Sequence, residues 1–442
     1  MARNRVIYQS DALYVSKDIL STNLGQHVEL DRIQSANYSF TVNRQDINQF
    51  GELSRIGYVA LEPPTVNLDF TYYLTDGSNE RALNFHVQNS AITTEKTFLS
   101  GHMVSDYSGQ NFYILTTAEG DDVNNATATA TNIAISGYTG YGAPGAFIKS
   151  AIGVGNAYIT NYSLDASVGN LPTVSVSFES SNINACTGIY AMTGLTATGA
   201  GGSGAFSGFY GISLVSVDPA AGSTKSGVVA LTGSGFTTGN VFLPFAKSSL
   251  GGSGIIALRP GDITLDLGNF DDNGSGVFGK LGGTDGIHIQ SAALAIPLAR
   301  TPIQRLGSRF AYSRPLDLPA SATLSVSAIV NETTAENLAA SLDGIYEKTI
   351  TLTIKQPGFT TPAVVYTLKK CRLDSESFTS SIGANKTVDL VFSTQYASLN
   401  DTTRGVYMSG VCGGAIFSTG VNGTFLSPTG ANGAASGAAI PF

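Results

Sequence analysis

One stretch of this chain occurs twice, and any fold must seat both copies. Ile33-Gln34-Ser35-Ala36 returns as Ile289-Gln290-Ser291-Ala292, an offset of 256 residues. At that offset Arg44 falls on Arg300, Ile47 on Ile303, Gly51 on Gly307, Pro63 on Pro319 and Leu68 on Leu324. That makes nine identities in the 42 positions from Ile33 to Leu74, where composition alone predicts about three. The pattern of faces says more than the identities. Val66, Leu68, Phe70, Tyr72 and Leu74 alternate with Thr65, Asn67, Asp69 and Thr71. In the second copy Ala322, Leu324, Val326, Ala328 and Val330 alternate with Ser321, Thr323, Ser325 and Ser327. A slip of one residue would invert every side chain, so matching parity predicts a half-buried strand in each copy.

Two further pieces follow in the same order. Glu95-Lys96-Thr97 matches Glu347-Lys348-Thr349 at offset 252, and Leu164–Phe178 matches Phe378–Phe392 at offset 214. The drop of 38 between them predicts a long loop in the first copy, about 118–156, where Gly, Ala, Thr and Asn dominate. The organisation read from this is a β-rich module over 1–180, a Gly/Ser/Thr-rich insertion or set of linker hairpins over 181–285, and a second module over 286–442. Within the middle part, 227–231 and 262–267 read as strands. Residues 79–84 and 334–341 are the best helix candidates, the second with Thr334 as N-cap. The fold class expected is mainly β: two tandem sandwich or barrel modules, each with a short flanking helix.

Composition narrows the function. Charged residues are only 13% of 442, with 51 Gly and no Trp, which argues against a helix bundle. The net charge of −8 is the wrong sign for a protein that clamps nucleic acid by its phosphates. The first residues lack the apolar core of a signal peptide, and no apolar run is long enough to span a membrane. Cys186, Cys371 and Cys412 are few and odd in number, which predicts folding in a reducing compartment without disulfides.

The search for chemistry is negative. His27, His86, His102 and His288 fall at no metal-ligand spacing. The acidic stretches 119–122 and 271–276 read as solvated loops, the second without the spaced ligands of a calcium loop. Gly140–Gly145 fits G-x-G-x-x-G, but Pro144 sits inside it and no βαβ unit surrounds it. No set of acid, base, nucleophile and orienting group is recognisable, so neither an enzyme nor a bound cofactor or metal is expected. Arg44 and Arg300, paired by the repeat, read either as solvated strand-end charges or as equivalent contacts between subunits or into a lumen. The Tyr-rich stretches at 72–73 and 137–141 read as strand or interface aromatics, with sugar or base stacking as the other reading.

Three segments in order, IQSANYSFTVNRQDINQFGEL, EPPTVNLDFTYYLTDGSNE and AYITNYSLDASVGNLPTVSVSFE, together resemble the major tail proteins, or tail tube proteins, of long-tailed bacteriophages. The resemblance covers about 30–180 and, through the repeat, about 288–394. It implies a β-sandwich or barrel with a flanking helix that forms stacked rings around DNA. In the duplicated form it implies homotrimeric rings acting as pseudo-hexamers, stacked head to tail. The implied location is the virion tail, assembled in the host cytoplasm. Other tail proteins would cap the tube ends, DNA would pass without specific binding, and no membrane would be involved. The insertion at 181–285 and the longer first copy depart from the minimal pattern. On this reading the contacts between modules or rings are expected at Arg44, Arg300, Phe70, Val326, Gly51 and Gly307. The alternatives are another virion part (a tail terminator, a distal adaptor or a capsid decoration protein) or a carbohydrate- or receptor-binding β protein.

Overall fold

The computed structural model describes residues 11–17, 27–62, 64–89, 95–103, 109–117, 123, 132–135, 138–142, 149–197, 205–213, 240–244, 257–266, 287–304, 306, 311, 314–330, 347–356, 358, 362–379, 387–396, 398 and 401–411. The first half carries β1 (Asp11–Lys17), β2 (His27–Glu29), β3 (Ile33–Thr41), β4 (Arg44–Ile47), β5 (Gly57–Ala60), β6 (Thr65–Tyr73), α1 (Ser78–Ala82), β7 (Val87–Gln88), α2 (Ser100–Met103) and β8 (Gln110–Thr116). Then come β9 (Asn132–Ile135), β10 (Tyr138–Gly142), β11 (Lys149–Ser167), β12 (Thr173–Ser180), β13 (Asn182–Ala197), β14 (Ala205–Ser213) and β15 (Asn240–Pro244). The second half carries β16 (Ile263–Asp266), β17 (Ile287–Pro297), β18 (Ser321–Val330), β19 (Lys348–Lys355), β20 (Pro362–Thr379), β21 (Thr387–Gln395) and β22 (Gly405–Gly410). The protein is mainly β, as its alternating segments predict.

Eight strands form one antiparallel ladder in the order β3–β6–β12–β11–β17–β18–β21–β20. Its pairings recur at the sequence offsets. Ile33↔Tyr72 and Ser35↔Thr71, with a bulge between them, return 256 residues on as Ile289↔Ala328 and Ser291↔Ser327 with the same bulge. Ile159↔Phe178 and Asn161↔Ser177 return 214 residues on as Leu373↔Phe392 and Ser375↔Val391, again with a bulge between them. A bulge bends a strand and sharpens its twist. Here it lies where β11 and β20 leave this ladder for a second sheet.

Those second sheets cover one face of the ladder. One is β2–β1–β8–β11–β13, all from the first half; the other is β16–β19–β20–β22 from the second half with β7 of the first half added at its edge, where β22 and β7 run parallel. The apolar parity of the ladder meets the apolar parity of the covering strands. Phe70 and Phe178 from the ladder stack at 5.9 Å, and Phe112 from β8 lies 5.8 Å from one and 4.5 Å from the other. Leu324, Val326, Leu390 and Phe392 join Ile350, Leu352, Val364 and Tyr366 in the same core. This is layered packing of two apolar faces, whose burial is the main stabilising term.

Two expectations need correction or completion. The stretch expected as one loop over 118–156 carries β9, β10 and the start of β11. The cause is β13, which runs on past the stretch that pairs with β11. Its first part pairs with β11, and its remaining backbone groups pair with β10 on that side and β14 on the other, because unpaired N–H and C=O groups are costly. The expected 262–267 strand is β16, and it pairs with β19. The helix expected over 79–84 is α1, while the 334–341 candidate, the 227–231 strand and the acidic stretches 119–122 and 271–276 lie outside the described residues.

Candidate functional site

The ladder has one face in the core and one face uncovered by another sheet among the described residues, so its outer parity can be read strand by strand. β3 contributes Ser35, Asn37, Ser39 and Thr41, and β6 contributes Thr65, Asn67, Asp69 and Thr71. β12 and β11 add Thr173, Ser175, Ser177, Asn161, Ser163 and Asp165. β18 and β21 add Thr323, Ser325, Ser327, Thr387 and Asp389. Directly opposed residues share a face, and Ser35 Oγ and Thr71 Oγ1 meet at 2.7 Å across it. Two cations at its margins are tied to carboxylates: Arg314 to Glu179 at 2.8 Å and Arg372 to Glu347 at 2.8 Å. The carboxylates of Asp69, Asp165 and Asp389 stand exposed across its middle. It is a polar face of small side chains with an acidic bias.

The halves join at β11·β17, where Tyr162↔Ile296, Leu164↔Leu294 and Ala166↔Ala292 are opposed. At the two ends of the ladder, β3 and the 372–379 part of β20 each pair on one side only among the described residues. By the offsets, β3 is the counterpart of β17 and this part of β20 the counterpart of β11. The open ends therefore correspond to the two strands of the internal joint. Side-chain burial reflects the difference. Leu294 and Ile296 are 1% and 0% exposed, whereas their counterparts Tyr38 and Phe40 are 43% and 59% exposed although they point to the core face.

A buried polar network pins the halves together. The Tyr72 hydroxyl donates to Glu80 Oε1 at 2.8 Å, the Tyr162 hydroxyl lies 3.4 Å from the same oxygen, and it lies 2.8 Å from the Tyr366 hydroxyl. Burial pushes the Glu80 carboxyl up to about 7, against its hydrogen bonds to the tyrosines. Phe85 and Phe98 stack at 4.2 Å and set their planes against the edge of Tyr162. The residues lie at positions 72, 80, 162 and 366, with no local signal, so the sequence reading missed them.

The expected contact residues fall in different places. Phe70 and Val326 are buried in the core, so their side chains are spent inside the chain and offer no surface to another one. Arg44 and Arg300 hold equivalent backbone positions, paired as Arg44↔Ala60 and Arg300↔Leu316, but differ in surroundings. Arg44 is exposed, its guanidinium 5.2 Å from the ring centre of Tyr58. Arg300 is half-buried and donates to the carbonyls of Ile159, Arg314 and His102 at 3.3, 2.8 and 3.3 Å. Burial pulls it down to about 10, still charged at neutral pH. Gly51 turns the β4–β5 hairpin with φ 94°, a conformation that favours glycine, and Gly307 lies outside the described residues. Of the G-x-G-x-x-G match, Gly140, Tyr141 and Gly142 lie in β10 and 143–145 are outside the described residues.

The hairpin β4–β5 forms a two-stranded sheet of its own. Its apolar side chains face water: Ile47, Phe50, Leu53, Ile56 and Leu61 are all exposed, Phe50 fully at 104%. The counterpart segment 300–316 repeats this at Ile303 and at Leu306, 103% exposed. Contiguous exposed apolar side chains mark interaction surfaces. Models of known protein families, searched with this chain, give no match, and no curated protein matches it.

Proposed function

We propose that the chain is a virion structural protein that self-assembles into rings, and that stacked rings form a tail tube through which DNA leaves the particle. The observation that carries this is the β11·β17 joint. It sets two like four-stranded blocks in line, the same way round, with edges of opposite kind outermost. A contact of that kind is heterologous: repeated with rotation, it closes a ring. Closure also removes the open edges that would otherwise template aggregation. Three chains bring six blocks, a trimer with pseudo-sixfold character.

Two other surfaces support the reading. The polar face with Asp69, Asp165 and Asp389 is suited to line a conduit, because it would repel phosphates rather than hold them. The apolar hairpin carrying Phe50 and the counterpart segment carrying Leu306 are suited to contacts between rings. Location in the virion tail, assembly in the host cytoplasm and contacts with other tail proteins at the tube ends follow from the same reading.

Light scattering followed by negative-stain microscopy of the purified chain tests it. Particles near three times the chain mass of 45.8 kDa, seen as open-centred rings or as tubes, are the expected result. A single ring that never stacks favours a terminator or adaptor. A monomer at all concentrations overturns the proposal.

A further inference from the structure

We propose that the open edge of β20 pairs with β3 of a second copy in the register of the internal joint, and that Glu376 holds this edge apart until assembly. The inference rests on the ring reading and adds its residues and its control.

The register comes from the chain itself. Asn161↔Pro297, Tyr162↔Ile296, Ser163↔Ala295 and Asp165↔Ala293 are opposed inside the chain. Moved by the offsets of 214 and 256, these become Ser375 against Thr41, Glu376 against Phe40, Ser377 against Ser39 and Thr379 against Asn37 of the second copy. The outer face then continues without a break, Ser and Thr against Ser, Thr and Asn. Tyr38 and Phe40 gain the cover that Leu294 and Ile296 already have. The bulges that set the local twist stand at equivalent places in both blocks, so the second joint needs no new backbone geometry.

One residue departs from the copy. Tyr162 at the internal joint is buried and hydrogen-bonded; its counterpart is Glu376. Glu376 opposes Leu390 in the ladder, and Leu390 is buried, so the carboxylate sits on the core-facing parity of an open edge. A charge pointing inward from an edge strand is a device that keeps sheets from joining edge to edge, because pairing strips its water. Opposite Phe40 it meets no cation in that register. The internal joint closes on folding, whereas the joint between chains carries a desolvation barrier.

The test is disulfide trapping in the full chain. Ser39→Cys with Ser377→Cys places two thiols at a directly opposed pair, within the reach of a disulfide. The expected result under mild oxidation is a covalent trimer on a non-reducing gel, absent from either single variant and from the off-register pair Ser39→Cys with Ser375→Cys. Rings that form without cross-linking overturn the register and leave the ring reading standing. A chain that stays monomeric overturns both. For the control, Glu376→Gln is exposed and should fold as the parent does, and it should assemble at a several-fold lower concentration. Assembly at the parent's concentration overturns the role of Glu376.

Discussion

The hydroxyls of Tyr162 and Tyr366 meet at 2.8 Å although 204 residues separate them. Tyr162 lies on β11 and Tyr366 on β20, the two strands that run from the ladder into the covering sheets. Replacing Tyr366 by Phe removes one partner and keeps the ring. The Tyr162 hydroxyl retains Glu80 within 3.4 Å, so the loss should be about 1 kcal/mol of unfolding free energy. Urea denaturation with an unchanged m-value checks it.

Glu80 gives the pH dependence. Its folded value of about 7 exceeds the unfolded value of 4.5, so the folded chain holds the proton longer. This group's contribution is therefore most favourable below pH 4.5, declines between 4.5 and 7, and levels off above. The whole change amounts to about 3 kcal/mol. Glu80→Gln should remove that decline, so the variant gains on the parent as pH rises from 5 to 8. Thermal unfolding across that range is the measurement; parallel curves for the two proteins would contradict it.

Gly410 closes β22 against a neighbouring loop. A Cβ there would clash with the carbonyl oxygen of Asp76, and backbone does not yield as a side chain does. Gly410→Ala should cost about 1–3 kcal/mol, read as a lowered melting temperature with no change in the outer surfaces.

The hairpin tips should separate folding from assembly. Phe50 and Leu306 are fully exposed and contribute little to the fold. Phe50→Ser with Leu306→Ser should leave the melting temperature within about 2 °C. Tubes should shorten to single rings under the microscope. Tubes of normal length would remove the hairpins from the contact between rings.

The acidic face makes a prediction about DNA. Asp69→Lys, Asp165→Lys and Asp389→Lys together replace three negative charges by three positive ones on the exposed face of each chain, a net change of +6. The assembled parent should show no measurable affinity for duplex DNA at physiological salt. The triple variant should bind it, with an affinity that falls steeply as salt rises. Electrophoretic mobility shift across a salt series distinguishes them.

What the sequence carried and what it hid have a common physical cause. Alternation reports burial whenever both neighbours of a strand are in place, so Val66, Leu68, Phe70 and Tyr72 read correctly as one inward face. Tyr38 and Phe40 carry the same parity, but the missing neighbour decides their exposure, and a one-dimensional pattern does not encode the neighbour. Arg44 and Arg300 share identity and backbone place, yet one stacks on Tyr58 and the other is ringed by carbonyls, because surroundings come from residues far along the chain. The strands within 118–156 escaped because Gly, Ala, Thr and Asn dilute the alternation there, although Ala151 and Val154 at the start of β11 are buried in the core. The Glu80 network escaped for the same reason of distance.

Joining two blocks in one chain also changes how an assembly responds to dilution. A contact tethered inside a chain acts at a fixed effective concentration and survives at any protein level, whereas a contact between chains weakens as the protein is diluted. In a trimeric ring built on the β11·β17 joint, every second joint would be of the permanent kind. Only half the circumference would be left for the cell to regulate by how much protein it makes.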